Sequence, residues 1–495
     1  MSEESDRVIV AKKQANETKM AELKKIVVAV RSLLSEGPWR REMPVEPPVT
    51  GTQSPGETED GLDRIRAAAK KDGNLRFDNL MHHLDVALLR QAYLALNRKA
   101  ARGVDRMSWE DYGSDLETRL EQLHARLHGG RYRPQPVRRV WIPKADGKLR
   151  PLGVTGVEDK VVQQALVWVL ERIYEEDFKG FSYGFRPGRS QHNALDALYV
   201  AITQRKVSWI LDTDISAFFD SVDHGWLMKF VSHRIADRRI LRLIEQTLKA
   251  GVMEEGKWQA TRAGTPQGGV LSPLLANIYL HYSLDLWVEA WRKRKARGEV
   301  YIVRYADDAV LGFQYRDDAH RLRRELTERL EKFSLQLHPE KTRLLEFGRY
   351  ADANRAERGE GKPETFSFLG FTHICARKRS NGGFTVLRIT LGKRLRGFVA
   401  NMKAWAMTNR HLPIAVQGKY LKLALQGFAN YFGVPGNKGT LDAVRGQICK
   451  GWFRALRRRS QKAVRLNWRK MQYIIQQWIP SLRIVHPYPN QRLRV

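Results

Sequence analysis

The chain has 495 residues, 86 of them Lys or Arg and 54 Asp or Glu, for a formal net charge of +32. That length allows two to four domains with full-sized cores, and the positive excess points to a polyanionic partner rather than a basic one. Two cysteines, Cys375 and Cys449, leave no disulfide framework or cysteine zinc site, and no segment approaches eighteen apolar residues or a signal peptide, so a soluble protein of the reducing cytoplasm is expected, with no membrane partner.

In chain order, residues 1–60 are nearly neutral, with 9 Lys/Arg against 11 Asp/Glu. A partly helical stretch at 20–34 runs into Pro44, Pro47, Pro48 and Pro55 among Thr, Ser and Gly, the composition of a linker. Helical periodicity returns over 75–127, broken at 101–105. Residues 132–154 read as a β-hairpin around Ala145-Asp146-Gly147, since Asp-Gly between strand-like runs favours a tight turn. Residues 207–214 form the next strand pattern and end on Asp214. The runs 300–303 and 309–313 then flank Tyr305-Ala306-Asp307-Asp308, which puts two adjacent carboxylates in a hairpin turn. An amphipathic helix is expected over 319–335, and a polar surface loop over 349–364. Residues 385–495 carry 22 Lys/Arg and a single acid, Asp442, with Trp405, Phe428, Tyr431, Phe432, Trp452, Phe453, Trp468 and Trp478 interleaved. Such a segment can neutralise phosphates, while its aromatics either pack helices or stack on bases; packing is the preferred reading for most of them.

Adjacent carboxylates repel and stay ionised most easily when a cation lies between them. Asp214 closes a strand where it can face Asp307 and Asp308, and three hard oxygen donors suit Mg²⁺. Two such ions can stabilise the attacking and leaving oxygens of an in-line displacement, which implies nucleotidyl transfer. An isolated Asp-Asp in a turn is otherwise ordinary turn chemistry. Asp212 shares the strand face of Asp214 and is assigned no catalytic role, and Asp220 is read as structural.

At these residues the chain resembles the reverse transcriptases. Asp214 and Phe219 match their motif A, and Tyr305-Ala306-Asp307-Asp308 matches motif C. The segment from Gly264 through Gln267, Gly268 and Gly269 to Leu280 looks like motif B of the group II intron-encoded proteins, which are also splicing maturases. The 101–105 motif, the Ser182-Tyr183-Gly184-Phe185-Arg186-Pro187 segment, the Phe366–Phe371 turn and the basic C-terminal region look familial too, so the resemblance spans about residues 75 to 490. It implies an α+β right-hand polymerase: fingers and palm with an antiparallel sheet over 61–384, then a helical thumb and basic maturase region over 385–495.

The resemblance also implies roles. Asp214, Asp307 and Asp308, with the Ile215 carbonyl, would hold two Mg²⁺ ions. Lys144 and Arg150 match positions contacting the nucleotide triphosphate, although an exposed basic hairpin can equally bind template backbone. Phe219 sits where an aromatic steric gate selects deoxynucleotides, and Gln267 where nucleotide and template are contacted. Lys341, in a segment resembling motif D, would protonate pyrophosphate, the plain alternative being a solvated charge. Arg457, Arg458, Arg459 and Lys462 are expected to bind nucleic acid.

The implied function is RNA-directed DNA synthesis, with binding of the parent group II intron RNA to promote splicing and retrohoming at a DNA target. A domesticated enzyme of DNA repair or phage defence, and a maturase without polymerase activity, remain alternatives. No HNH endonuclease pattern follows Cys449, so second-strand cleavage is expected to be absent.

Overall fold

The computed structural model describes residues 57–492, apart from 144–148, 255, 262 and 266–267. The expected helix at 20–34, Lys144 and Gln267 therefore lie outside the described residues. Helices and strands are mixed throughout, and the strand pairing is mostly antiparallel, with Val137 and Arg138 pairing in parallel with Val252 and Met253. The described residues divide into two compact units, one comprising 57–194 and 206–345, the other 195–205 and 346–492. The division falls at 345/346, whereas composition shifts at 384/385, because the small sheet of residues 366–390 packs with the C-terminal helices.

In the first unit, the helix Val157–Asp177 is the central strut. Val161, Val169, Leu170, Ile173 and Tyr174 along it are fully buried, and no residue of the helix is fully exposed. Shorter helices are started by aspartate caps. Asp85 accepts from Leu88 N, and Asp223 from Trp226 N, before Val86–Ala95 and His224–Ser232. The expected hairpin forms from β1 (Val137–Pro143) and β2 (Leu149–Val154), antiparallel, with Ile142 opposite Arg150. β3 (Trp209–Thr213) follows, then the small pair β4 (Val252–Glu254) and β5 (Lys257–Gln259), which extends the β1–β2 sheet in the order β2-β1-β4-β5.

The sheet that carries the acidic residues adds β6 (Val300–Tyr305), β7 (Asp308–Phe313) and β8 (Arg343–Glu346) in the order β6-β7-β3-β8. Its central strands β7 and β3 supply the fully buried Leu311, Phe313, Ile210 and Leu211. The helix Arg316–Glu331 packs on β3 and β7; it starts and ends a few residues ahead of the expected 319–335.

The second unit contains an antiparallel sheet of β9 (Phe366–Phe368), β10 (Phe371–Arg377) and β11 (Phe384–Thr390), in the order β11-β10-β9. Four longer helices follow, Gly392–Thr408, Ile414–Phe432, Lys438–Arg457 and Trp468–Trp478. Trp452 is fully buried and donates its indole N–H to Gln417 Oε1 at 2.8 Å; Phe428, Tyr431 and Phe432 are buried as well. These aromatics are core. The surface loop expected at 349–364 is in part a helix, Ala351–Glu357. Glu346 secures it, accepting from Asn354 Nδ2 and pairing with Arg358, a contact between residues separated in sequence that the local polar composition conceals.

Candidate active site

The hairpin β6–β7 turns through Ala306 and Asp307, with Tyr305 and Asp308 as the closing pair. Two-residue hairpin loops require positive φ at the first loop position, and Ala306 has φ 57°. A side chain in the left-handed region costs on the order of 1–3 kcal/mol, so surrounding structure must hold the turn. β3 runs antiparallel to β7 with Thr213 opposite Ala309 and its hydroxyl donating to Ala309 O at 2.6 Å. Continuing that register brings Asp214 beside Asp308. The strand ladder thus gathers the three carboxylates expected to act together.

Their electrostatics follow from crowding. Burial, then the charges of Asp307, Asp214 and Asp212, push the Asp308 carboxyl up to about 7, with Lys341 opposing. Asp308 keeps an exposed face, so its surround of protein and like charges, not full enclosure, raises it. Asp307 is raised by burial and by Asp214, and lowered by the cations Arg150 and Arg304. Asp212, given no role from the sequence, is itself pushed to about 6 by burial and by Asp214. It adds to the negative field without standing at the strand end.

Lys341 forms an ion pair with Asp214 Oδ2. Asp214 O also accepts from His338 N at 2.7 Å, and Ser216 N donates to Gln336 O at 2.8 Å. Ile215 is thereby the central residue of an antiparallel bridge to Leu337, so its own carbonyl turns away from that segment. Among the described residues no three His, Cys, Asp or Glu side chains already converge as a metal cage. The donor set nevertheless fits a hard cation: three carboxylates at adjacent strand ends, with the Lys341 ammonium already standing against one of them.

Around this cluster, Phe219 is buried in the helix Phe218–Ser221, its ring edge-on to Phe218 with centroids 5.4 Å apart. Phe219 O accepts from Thr265 N, and a Cβ on Gly264 (φ 84°) would lie 2.8 Å from the same carbonyl. Likewise a Cβ on Gly268 (φ 112°) would lie 2.7 Å from Gly153 O, at the end of β2. Gly264 therefore packs on the Phe219 turn and Gly268 on β2, close approaches that only glycine permits. Arg150 is exposed on β2, and its charge acts on Asp307.

Sequence reasoning missed several supports. Gln163 Oε1 accepts from Val270 N at 2.9 Å and Leu271 N at 3.4 Å, fixing the entry to the helix Ser272–Leu280. Arg304, Asp285 and Asn277 meet beneath the acidic turn. A charged residue inside the apolar run of β6 was the available signal for the last group.

In the second unit, Arg457, Arg458, Arg459 and Lys462 are all exposed at the end of Lys438–Arg457 and the turn after it. Arg457 lies over the Phe453 ring at 5.7 Å, and Arg459 donates to His411 O at 3.2 Å. Trp468, 40% exposed, stands edge-on to Phe453 with centroids 5.3 Å apart.

Residues 142–373 match the family described as Reverse transcriptase (RNA-dependent DNA polymerase). The chain is 34% identical over 380 residues to Protein YkfC of Escherichia coli (strain K12), covering 69% of this chain and 94% of that protein. It is 43% identical over 173 residues to Group II intron-encoded protein LtrA of Lactococcus lactis subsp. cremoris, covering 35% of this chain and 28% of LtrA. The chain belongs to the group II intron reverse transcriptase and maturase family. Nuclear intron maturase 2, mitochondrial, of Arabidopsis thaliana is a more distant relative, 28% identical over 178 residues, covering 27% of this chain and 23% of that protein. The activity class is RNA-directed DNA polymerisation, and reverse transcriptase domains use divalent metal ions. No described helix is long and apolar enough to cross a membrane.

Proposed function

We propose that this protein is a right-hand polymerase that copies RNA into DNA and also binds a structured group II intron RNA, promoting its splicing and its retrohoming at a DNA target. The observation that carries the reading is the β3–β7–β6 register, which brings Asp214 to Asp308, whose carboxyl is raised by burial and by the neighbouring negative charges. Two Mg²⁺ ions bound by Asp214, Asp307, Asp308 and the Ile215 carbonyl would supply charge neutralisation at the attacking and leaving oxygens.

The chain's own groups do the remaining work. Arg150 and Lys144 hold the triphosphate and orient its leaving pyrophosphate. Phe219 lies under the sugar and excludes a 2′-hydroxyl, while Gln267 holds base and template. Lys341 swings from Asp214 when nucleotide enters and donates a proton to the departing pyrophosphate. Arg457, Arg458, Arg459 and Lys462 neutralise phosphates of the intron RNA, whose folded state is favoured by preferential binding.

Primer extension on an RNA template with purified protein tests the first part. Asp307→Ala combined with Asp308→Ala is expected to abolish cDNA synthesis while leaving assistance to intron splicing in place. Undiminished synthesis by that variant rejects the carboxylate assignment.

A further inference from the structure

Beneath the acidic turn lies a buried ion pair that the polymerase reading leaves without a role. Arg304, in β6, and Asp285 are both fully inaccessible to solvent. Every donor of the Arg304 guanidinium is used. Nε reaches Asp285 Oδ1 at 2.7 Å, and Nη2 reaches Asp285 Oδ2 at 2.6 Å and Ser182 Oγ at 2.7 Å. Nη1 donates to Asn277 Oδ1 at 3.1 Å and to Ala306 O at 2.9 Å. The last bond ends on the carbonyl of the strained turn residue that immediately precedes Asp307.

The partners are themselves fixed. Asp285 ends a π-helical turn, His281–Asp285, in which Leu286 N–H bonds to His281 O, five residues back. The widened turn leaves carbonyls to be satisfied, and Arg329 supplies the donors, bonding Tyr282 O and Ser283 O at 3.1 Å each. π-Turns inside helices recur at functional sites because they re-aim a side chain; here the re-aimed chain is Asp285. On the other side, Ser182–Gly184 runs alongside β6, with Tyr183 N donating to Arg304 O at 2.8 Å. Asn277 Nδ2 donates to Gly184 O at 2.8 Å, and a Cβ on Gly184 would lie 2.4 Å from Ala306 N. Backbone thus presses on one side of Ala306 while Arg304 holds its carbonyl on the other.

A fully buried ion pair is a poor source of stability, since apolar residues of similar volume commonly serve as well. What it offers is direction, because a planar fork with five fixed donors admits one arrangement of its partners. We propose that Arg304, aimed by Asp285, is a positioning residue that locks the Ala306 turn and so sets where Asp307 and Asp308 point. The inference rests on the polymerase reading. It also explains the Ser182–Gly184 segment, which seats the turn rather than touching substrate.

The test uses the full chain with primer and RNA template, and three variants: Arg304→Lys, Gly184→Ala and the double Arg304→Met/Asp285→Leu. Four quantities are measured: kcat and KM for deoxynucleotide, thermal unfolding, and Mn²⁺ binding from the paramagnetic resonance of the free ion. Misplacing a catalytic group by about 1 Å costs on the order of 100-fold. Arg304→Lys is therefore expected to unfold within a few degrees of wild type, lose kcat to about that extent and keep KM within about twofold. Mn²⁺ affinity is expected to weaken roughly tenfold or more, as when a residue orienting metal ligands is lost. Gly184→Ala should shift the same two quantities in the same direction. Folded variants with wild-type kcat and Mn²⁺ affinity overturn the proposal. So does a loss of activity that merely follows thermal unfolding and returns on cooling, or failure of all the variants to fold, because the pair then serves only stability. Wild-type protein without DNA synthesis sinks the polymerase reading instead, an outcome these variants do not imitate.

Discussion

The acidic turn of the first unit and the basic helices of the second solve opposite electrostatic problems. Around Asp307 and Asp308, like charges are forced together at strand ends and their carboxyls are raised. Two nearby cations have specific partners: Arg304 on Asp285 and the turn, Lys341 on Asp214. In the second unit Arg457, Arg458, Arg459 and Lys462 are exposed to solvent, where repulsion is weak and screened. Geometry dominates the first region, so single atoms matter there. Number of charges dominates the second, so residues there are interchangeable within limits. The core aromatics of the second unit, Trp452 and Phe428 among them, hold the helices that display those charges.

The sharpest way to break the comparison is to neutralise the acidic turn. Asp307→Ala with Asp308→Ala should lower DNA synthesis by more than about 10³-fold, beyond the loss of one transition-state stabilising donor, with intron RNA affinity within a few-fold of wild type. Next in size is Phe219→Val. It should cut the preference for deoxy- over ribonucleotides by on the order of 10–100-fold, read from relative kcat/KM, because removing a ring opens space without adding a repulsive group. Unchanged discrimination would remove Phe219 from the site.

Proton competition comes third. Metal binding needs ionised carboxylates, Asp308 titrates at about 7 and Asp212 at about 6, so protons occupy the site increasingly as pH falls. The Mg²⁺ concentration for half-maximal activity should therefore rise between pH 8 and pH 6, approaching tenfold per pH unit for one displaced proton. A flat metal requirement over that range contradicts the crowded-carboxylate picture.

The smallest effect belongs to the basic surface. Replacing Arg457, Arg458, Arg459 and Lys462 together by Gln should reduce the slope of log affinity against log salt by about 0.7–0.9 per lost phosphate contact. Thermal stability should change little, as for exposed substitutions generally. An unchanged salt slope would move the RNA contact elsewhere.

Much of this was legible beforehand for identifiable reasons. The strands β3, β6 and β7 are short, largely apolar runs bounded by acidic residues, and the sequence of 132–154 has Asp-Gly between its two strand-like runs; these are local signals. Ala351–Glu357 was hidden because its polar composition reads as loop until Glu346 and Arg358 are brought to it. Gln163 and Asp285 gave no signal, since a polar residue in a helix is ordinarily solvated and only its distant partners reveal otherwise. Lys341 was visible as a candidate, but not its pairing with Asp214, more than a hundred residues earlier.

By itself the sequence determined the order of the elements, the acidic residues that close the strands, the basic character of the last hundred residues and the family. These depend on short-range periodicity, turn chemistry and ordered motifs. Tertiary structure decided which carboxylates share a field, which cation meets which, and that a buried fork holds the turn in its strained form. Those outcomes depend on register and on pairings between distant segments, where a residue's partner is set by how the chain closes on itself.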